Sequence, residues 1–191
     1  MSAIISGSAV ALSGKHCVAI ATDHPIAGSN FDHGNMFKVA PLIYVALSGP
    51  QQDVVRVRDR MKLRQNMFGM VTPEIYAKNL SNYLSEPRLQ PYHVESVVAG
   101  LHSETVLPFI CSLNESGLLL DADDFTTGGK CPGIGAICKS LWKPNMGPAD
   151  LVAVLSDAIL NGSNLIGTRS WGVTIYVLHK LSEHVILMPK N

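Results

Sequence analysis

The chain has 191 residues and carries 15 Lys and Arg against 15 Asp and Glu. That length suits one domain able to bury roughly 70% of the surface its unfolded chain exposes. The balanced charge excludes a whole-protein electrostatic pull on nucleic acid or on an anionic membrane.

Read in order, Gly7 to Asp23 is strand, turn, strand. Ala9 to Leu12 and Val18 to Ala21 are apolar runs around the polar tip Ser13-Gly14-Lys15-His16, as a hairpin requires. The second run ends at Asp23, a carboxylate at a strand end. Polar groups on strand ends can face a cleft while the sheet holds them still. Such a strand suits an N-terminal nucleophile, whose first residue supplies both the attacking side chain and, through its free amine, the base.

Next, Met36 to Val39 and Ile43 to Leu47 read as short strands, the second closed by Ser48-Gly49-Pro50. From Gln51 to Phe68 the spacing of Val54, Val57 and Met61 predicts a helix. Its basic residues, Arg56, Arg58, Arg60, Lys62 and Arg64, wind around the axis because alternate positions point about 200° apart. Asp53 and Asp59 interrupt them and no aromatic platform accompanies them, so a solvated helix making protein contacts is expected over a nucleic-acid stripe.

Thr72-Pro73-Glu74 predicts a capped start to a helix that runs to about Ser85 and buries Tyr76, Leu80, Tyr83 and Leu84. Ser96 to Leu101 and Val106 to Leu113 read as a hairpin. Short strands at Leu118 to Leu120 and Phe125 to Thr127 flank the acidic Asp121 to Asp124, expected as a solvated turn. Gly128-Gly129-Lys130 lacks the G-x-x-x-x-G-K-[ST] pattern of a phosphate loop. It leads into a helix whose face is Ile134, Ile137, Cys138 and Leu141. A second helix from Pro148 turns Leu151, Leu155, Ala158 and Ile159 inward and stops at Asn161-Gly162. Strands at Trp171 to Leu178 and Val185 to Met188 flank Lys180-Leu181-Ser182-Glu183.

Segregated runs of strands and helices argue for an α+β fold. Two antiparallel sheets stacked face to face, with a helix pair on each outer side, give a four-layer αββα sandwich spanning residues 1–191 as a single domain. Cys17, Cys111, Cys131 and Cys138 lie singly in apolar segments with no C-x-x-C spacing, so reduced, buried thiols are expected. His102-x-Glu104 and the 7 scattered histidines lack metal-ligand spacing. MSAIISGSAVAL has neither the basic start nor the apolar length of a secretory signal, and the expectation is a soluble intracellular protein.

Three stretches carry a resemblance: Cys17-Val-Ala-Ile-Ala21, Pro108-Phe-Ile-Cys-Ser-Leu113, and Cys138-Lys-Ser-Leu-Trp-Lys-Pro-Asn-Met-Gly-Pro148. Together with the element order, they resemble the beta-type subunits of the proteasome core particle, most of all the non-catalytic third type, over essentially the whole chain. The resemblance implies the sandwich fold of N-terminal-nucleophile hydrolases. It also implies a place in a seven-membered beta ring, contacts with other beta subunits, the alpha ring and the opposite beta ring, no metal or cofactor, and residence in cytoplasm and nucleus.

In catalytic members of that family a threonine sits sixteen residues before the strand-end aspartate, and here that position is Gly7, with no attacking atom. The aspartate matches Asp23. The lysine that lowers the nucleophile's amine pKa matches Lys38, with the intervening loop one residue short. The supporting Ser, Asp and Ser positions fall at Gly128 and near Ile166 and Arg169. The expectation is therefore a scaffold in which Asp23 and Lys38 form a structural ion pair. The family also implies that the segment around Leu113 to Leu119 borders a neighbouring trypsin-like subunit's cleft, with Gly117 and Leu118 as lining. His24-Pro25, the short loop before Lys38 and the shortened NGSNLIGTRSWG depart from the family pattern.

Two other readings stand beside it. Cleavage at Gly7-Ser8 would give Ser8 a free amine and a hydroxyl, an N-terminal serine hydrolase in outline. Ser8 is one residue nearer Asp23 than the pattern requires, which reverses its facing. The other is a homo-oligomeric relative without dedicated partners.

Overall fold

The computed structural model describes residues 7–25, 35–69, 71–129, 132–162, 171–180 and 182–190. Among the described residues, ten strands form two antiparallel five-stranded sheets. The first contains β1 (Ala9–Gly14), β2 (Cys17–Pro25), β8 (Phe125–Gly128), β9 (Trp171–His179) and β10 (Ser182–Lys190), in the order β10-β9-β2-β1-β8. The second runs β3-β4-β5-β6-β7, from β3 (Met36–Ala40), β4 (Ile43–Ser48), β5 (Glu95–Leu101), β6 (Pro108–Leu113) and β7 (Leu119–Ala122). The helices are α1 (Gln51–Phe68), α2 (Pro73–Ser85), α3 (Pro132–Leu141) and α4 (Pro148–Gly162).

Alternation along each strand divides the apolar residues into three layers. On β1, Val10 and Leu12 face α3 and α4, packing with Ile134, Leu151, Leu155 and Ile159. Ala9 and Ala11 face the other sheet, where they meet a layer containing Val97, Ala99 and Ile110. On the far side of the second sheet, Val45, Val98 and Cys111 pack on Val54, Val57, Met61, Tyr76 and Leu80 of α1 and α2. Each fully buried Leu or Ile contributes about 1.5–3 kcal/mol, so a helix pair on each outer face is the arrangement that keeps both apolar faces dry. This is the expected αββα sandwich.

Local chemistry explains the boundaries. Thr72 Oγ1 accepts the Ile75 N–H, with Pro73 in the first turn of α2. On α1, Arg56, Arg58 and Arg64 pair with Asp53, Asp59 and Glu86, and Lys62 lies 5.6 Å from the centre of the Phe37 ring. The β1–β2 tip is tighter than expected. Both strands continue through Gly14 and from Cys17, and a side chain at Gly14 would meet the Met146 carbonyl oxygen at 2.4 Å. That glycine admits a neighbouring backbone.

Other expectations are corrected. Leu141 is 37% exposed as the last residue of α3, three positions beyond the buried Cys138. Ser182 and Glu183 belong to β10, not to the preceding turn. The two short strands around Asp121 to Asp124 lie in different sheets, so the acidic segment crosses between layers. Ser13 holds it, donating its N–H to the Asp124 carbonyl at 2.9 Å and its hydroxyl to that of Asp123. Asp121 and Asp123 are exposed.

Candidate functional site

Five strand ends meet at one end of the sandwich: the start of β1, the C-terminal ends of β2, β4 and β8, and the start of β5. Gly7 leads into β1. Its carbonyl accepts the Ser48 hydroxyl of β4 at 2.8 Å. Ser8 is 4% exposed, and its N–H donates to Asp23 Oδ1 at 2.5 Å. The Ser8 carbonyl accepts the Thr22 hydroxyl at 2.9 Å and the Asp23 N–H at 3.3 Å. Asp23 is 1% exposed, and a carboxylate so buried has to be met by donors such as this amide.

Gly7 has no space for a side chain. A Cβ there would lie 2.0 Å from Asp23 Oδ1 and 2.2 Å from the Asp23 carbonyl oxygen. Gly128 pairs with Ala9, and its Cβ would approach Val97 Cγ2 at 3.0 Å. Behind it, the Gly129 N–H donates to Glu95 Oε2 at 2.6 Å. The end of the sandwich is thus closed at Gly7 and Gly128 by small residues and backbone contacts.

Ser8 immediately precedes β1 and is buried, 4% exposed. In the intact chain its nitrogen is an amide bonded to Gly7, without the basic lone pair an N-terminal base needs. Ile166 and Arg169 lie outside the described residues.

Lys38 does not join this site, and the expected pair with Asp23 is corrected. Lys38 stands opposite Tyr44 near the start of β4, whereas the Gly7 contact is at Ser48. Four residues of strand separate these points by roughly 13 Å. Nearer the site, the residue whose carbonyl receives the Leu47 N–H is Asn35. Lys38 Nζ instead meets Glu183 Oε2 at 2.7 Å.

Glu183 ties the two sheets together. From β10 its carboxylate takes Lys38 Nζ, the Leu42 N–H at 3.1 Å and the Tyr44 hydroxyl at 3.2 Å, beside the Tyr44–Tyr176 ring stack at 4.3 Å. Burial pushes the Glu183 pKa up, but the Lys38 hydrogen bond and the Leu42 and Tyr44 donors outweigh it and hold the carboxyl below its ordinary range. A carboxyl with a depressed pKa in the folded state stabilises fully above its unfolded pKa, and that stability is lost as pH falls through the folded value. Glu183→Gln keeps an acceptor oxygen and loses the charge, so it is expected to cost about 1 kcal/mol at neutral pH. The gap should close in acid, below the ordinary carboxyl value of 4.5. Urea unfolding of both forms at neutral and acid pH reads this; a gap independent of pH would refute the charge assignment.

Of the two expected cleft residues, Gly117 offers no surface: it is buried against α2, its carbonyl accepting the Ser81 hydroxyl at 2.6 Å. Leu118 is 58% exposed. Burial raises the thiol pKa of Cys17, helped by Asp150, and that of Cys138 to about 11, and that of Cys111 to about 12, so none is a thiolate nucleophile. Among the described residues, no group of three or more His, Cys, Asp or Glu is placed to hold a metal, and no helix is long and apolar enough to cross a membrane. Sequence reasoning missed Ser48 and Glu95, which hold Gly7 and Gly129. Their only signal was a polar residue at the end of an apolar strand.

The model of the proteasome subunit family matches residues 5–178. Proteasome subunit beta type-3 of Drosophila melanogaster is 35% identical, over 91% of this chain and 90% of the relative. The beta type-3 subunit of Saccharomyces cerevisiae is 30% identical, over 94% of this chain and 92% of its own. A probable beta type-3 subunit of Schizosaccharomyces pombe is 31% identical, with 90% and 89% covered. The family model spans most of the chain and these relatives align with nearly all of it at 30–35% identity, and the chain therefore belongs to the proteasome subunit family.

Proposed function

We propose that the chain is a non-catalytic, structural beta subunit of the proteasome core particle, acting in ATP- and ubiquitin-dependent protein degradation. The observation that carries this reading is that Gly7, the residue the family resemblance matches to the nucleophile, has no attacking atom and no room for a Cβ. The beta type-3 names of the relatives support it. The subunit occupies one place in a beta ring, fixes its ring neighbours, and contacts the alpha ring and the opposite beta ring, in cytoplasm and nucleus. Exposed Leu118 borders a neighbour's substrate cleft. The serine-hydrolase alternative is disfavoured by the burial of Ser8 and by its amide's bond to Asp23.

Intact mass and native mass of the tagged protein from its own cells test the proposal. The expected result is a chain that retains the Gly7-Ser8 bond, within a particle of many different subunits. A chain beginning at Ser8 would establish processing and overturn the non-catalytic reading. A chain found alone or only with copies of itself would overturn the ring assignment.

A further inference from the structure

A cavity of about 280 Å³ opens at the end of the second sheet remote from Gly7. Its floor is apolar, made by Ile43, Val71, Pro73 and Leu101, and its mouth is polar, with His102 and Glu104 on the β5–β6 turn. Strand β5 begins at Glu95, beside Gly129, and ends at Leu101 in the cavity wall. Its length puts roughly 20 Å between the cavity and the Gly7 end, so the two are separate sites.

Size and charge select what fits. At about 280 Å³ the cavity sits at the lower limit of small-molecule sites, roughly 300–1,000 Å³, and admits one long side chain. At the mouth, His102 Nε2 is bonded to Glu74 Oε1, which offsets the charge that ring carries when protonated. Glu104 forms no ion pair among the described residues and is exposed. The mouth is therefore acidic over an apolar floor. A Lys or Arg meets both demands, since its methylene stem packs on apolar surface while its head stays at a polar rim. An acidic side chain would face Glu104 with like charge.

We infer that this cavity is an anchor pocket for a Lys or Arg side chain projected by an adjoining proteasome subunit, with Glu104 as its counter-ion. The inference rests on the ring-subunit reading. It adds to that reading a specific contact at the end opposite Gly7, fixed by charge as well as by shape. Reversing a charge at such a rim replaces attraction with repulsion and slows correct docking.

The test uses the full chain in cells that supply the rest of the particle. A photo-crosslinking benzoylphenylalanine is placed at Ser103, an exposed residue of the same turn, and the purified particle is irradiated and mapped by mass spectrometry. Incorporation of Glu104→Lys and Glu104→Gln is measured in competition with the unmodified chain. The expected results are an adduct on a segment of another subunit with a Lys or Arg at or beside the linked residue, and a roughly fivefold fall in incorporation for Glu104→Lys, with Glu104→Gln between. A chain that enters the particle but gives no such adduct, or a Glu104→Lys chain that competes equally, overturns the pocket and leaves the ring assignment standing. A chain found in no particle overturns both.

Discussion

Replacing Gly7 with threonine is expected to destabilise the chain by about 3 kcal/mol and to produce no peptidase activity. The added Cβ would arrive 2.0 Å from Asp23 Oδ1 and 2.2 Å from the Asp23 carbonyl oxygen. Neither atom can simply retreat. The carbonyl belongs to β2 where Asp23 is in register with Val173 of β9, and the carboxylate is buried on the Ser8 amide. Overpacking costs about 1–3 kcal/mol, and turning a buried acceptor away from its donor adds about 1–3 kcal/mol. The hydroxyl so gained has no base, because the nitrogen at residue 7 is bonded to the preceding residue. It also has no supporting serine at Gly128, where a Cβ already presses Val97 at 3.0 Å. Gly7→Ala separates sterics from chemistry, since it adds the same Cβ alone and should account for most of the loss. Urea midpoints and peptide hydrolysis read both variants. A threonine variant as stable as the parent, or one that turns over peptides, would refute the closed-site argument.

The same region marks where sequence reasoning reached its limit. Gly7 and Asp23 are matched by counting within one hairpin, and a hairpin fixes its own register, which is why the two lie side by side. Lys38 requires counting across a loop into another sheet, where no hairpin fixes the register to Asp23. Matching by residue type selected a lysine, while the fold puts that lysine at Glu183. Helices were legible wherever the core side is continuous. Val54, Val57 and Met61 define α1, and Thr72 with Pro73 defines the start of α2, because those signals are local. The separation of β7 from β8 was not legible: four residues of crossing chain look like a turn until Ser13 is seen to hold the Asp123 and Asp124 carbonyls. Leu141 failed for a related reason. Periodicity assigns a helix face, whereas burial also depends on where along the helix a residue falls, and Leu141 is the last of α3.

Gly117→Ala should cost about 3 kcal/mol, whereas Leu118→Ala, one residue on, should leave stability within about 0.5 kcal/mol. Gly117 has φ +80, and a Cβ there would meet the Ser81 carbonyl oxygen at 2.5 Å and the Ser85 nitrogen at 3.0 Å, both α2 backbone. An L side chain pays about 1–2 kcal/mol for that conformation before any clash. The loop cannot easily swing away, because Asn114 Oδ1 accepts the Ser116 N–H at 3.0 Å and the Leu118 N–H at 2.9 Å, and the Gly117 N–H bonds the Asn114 carbonyl at 2.9 Å. Gly117 thus seats the turn on α2, and the turn presents Leu118. If Leu118 borders a neighbour's cleft, trimming it should alter that neighbour's cleavage of basic peptides in the purified particle without moving the unfolding midpoint of this chain. Gly117→Ala should move both, since it disturbs the seat that aims the leucine. Unchanged cleavage with Leu118→Ala would remove the cleft role and leave the turn as packing alone, and a neutral Gly117→Ala would show that the turn can lift from the helix without cost.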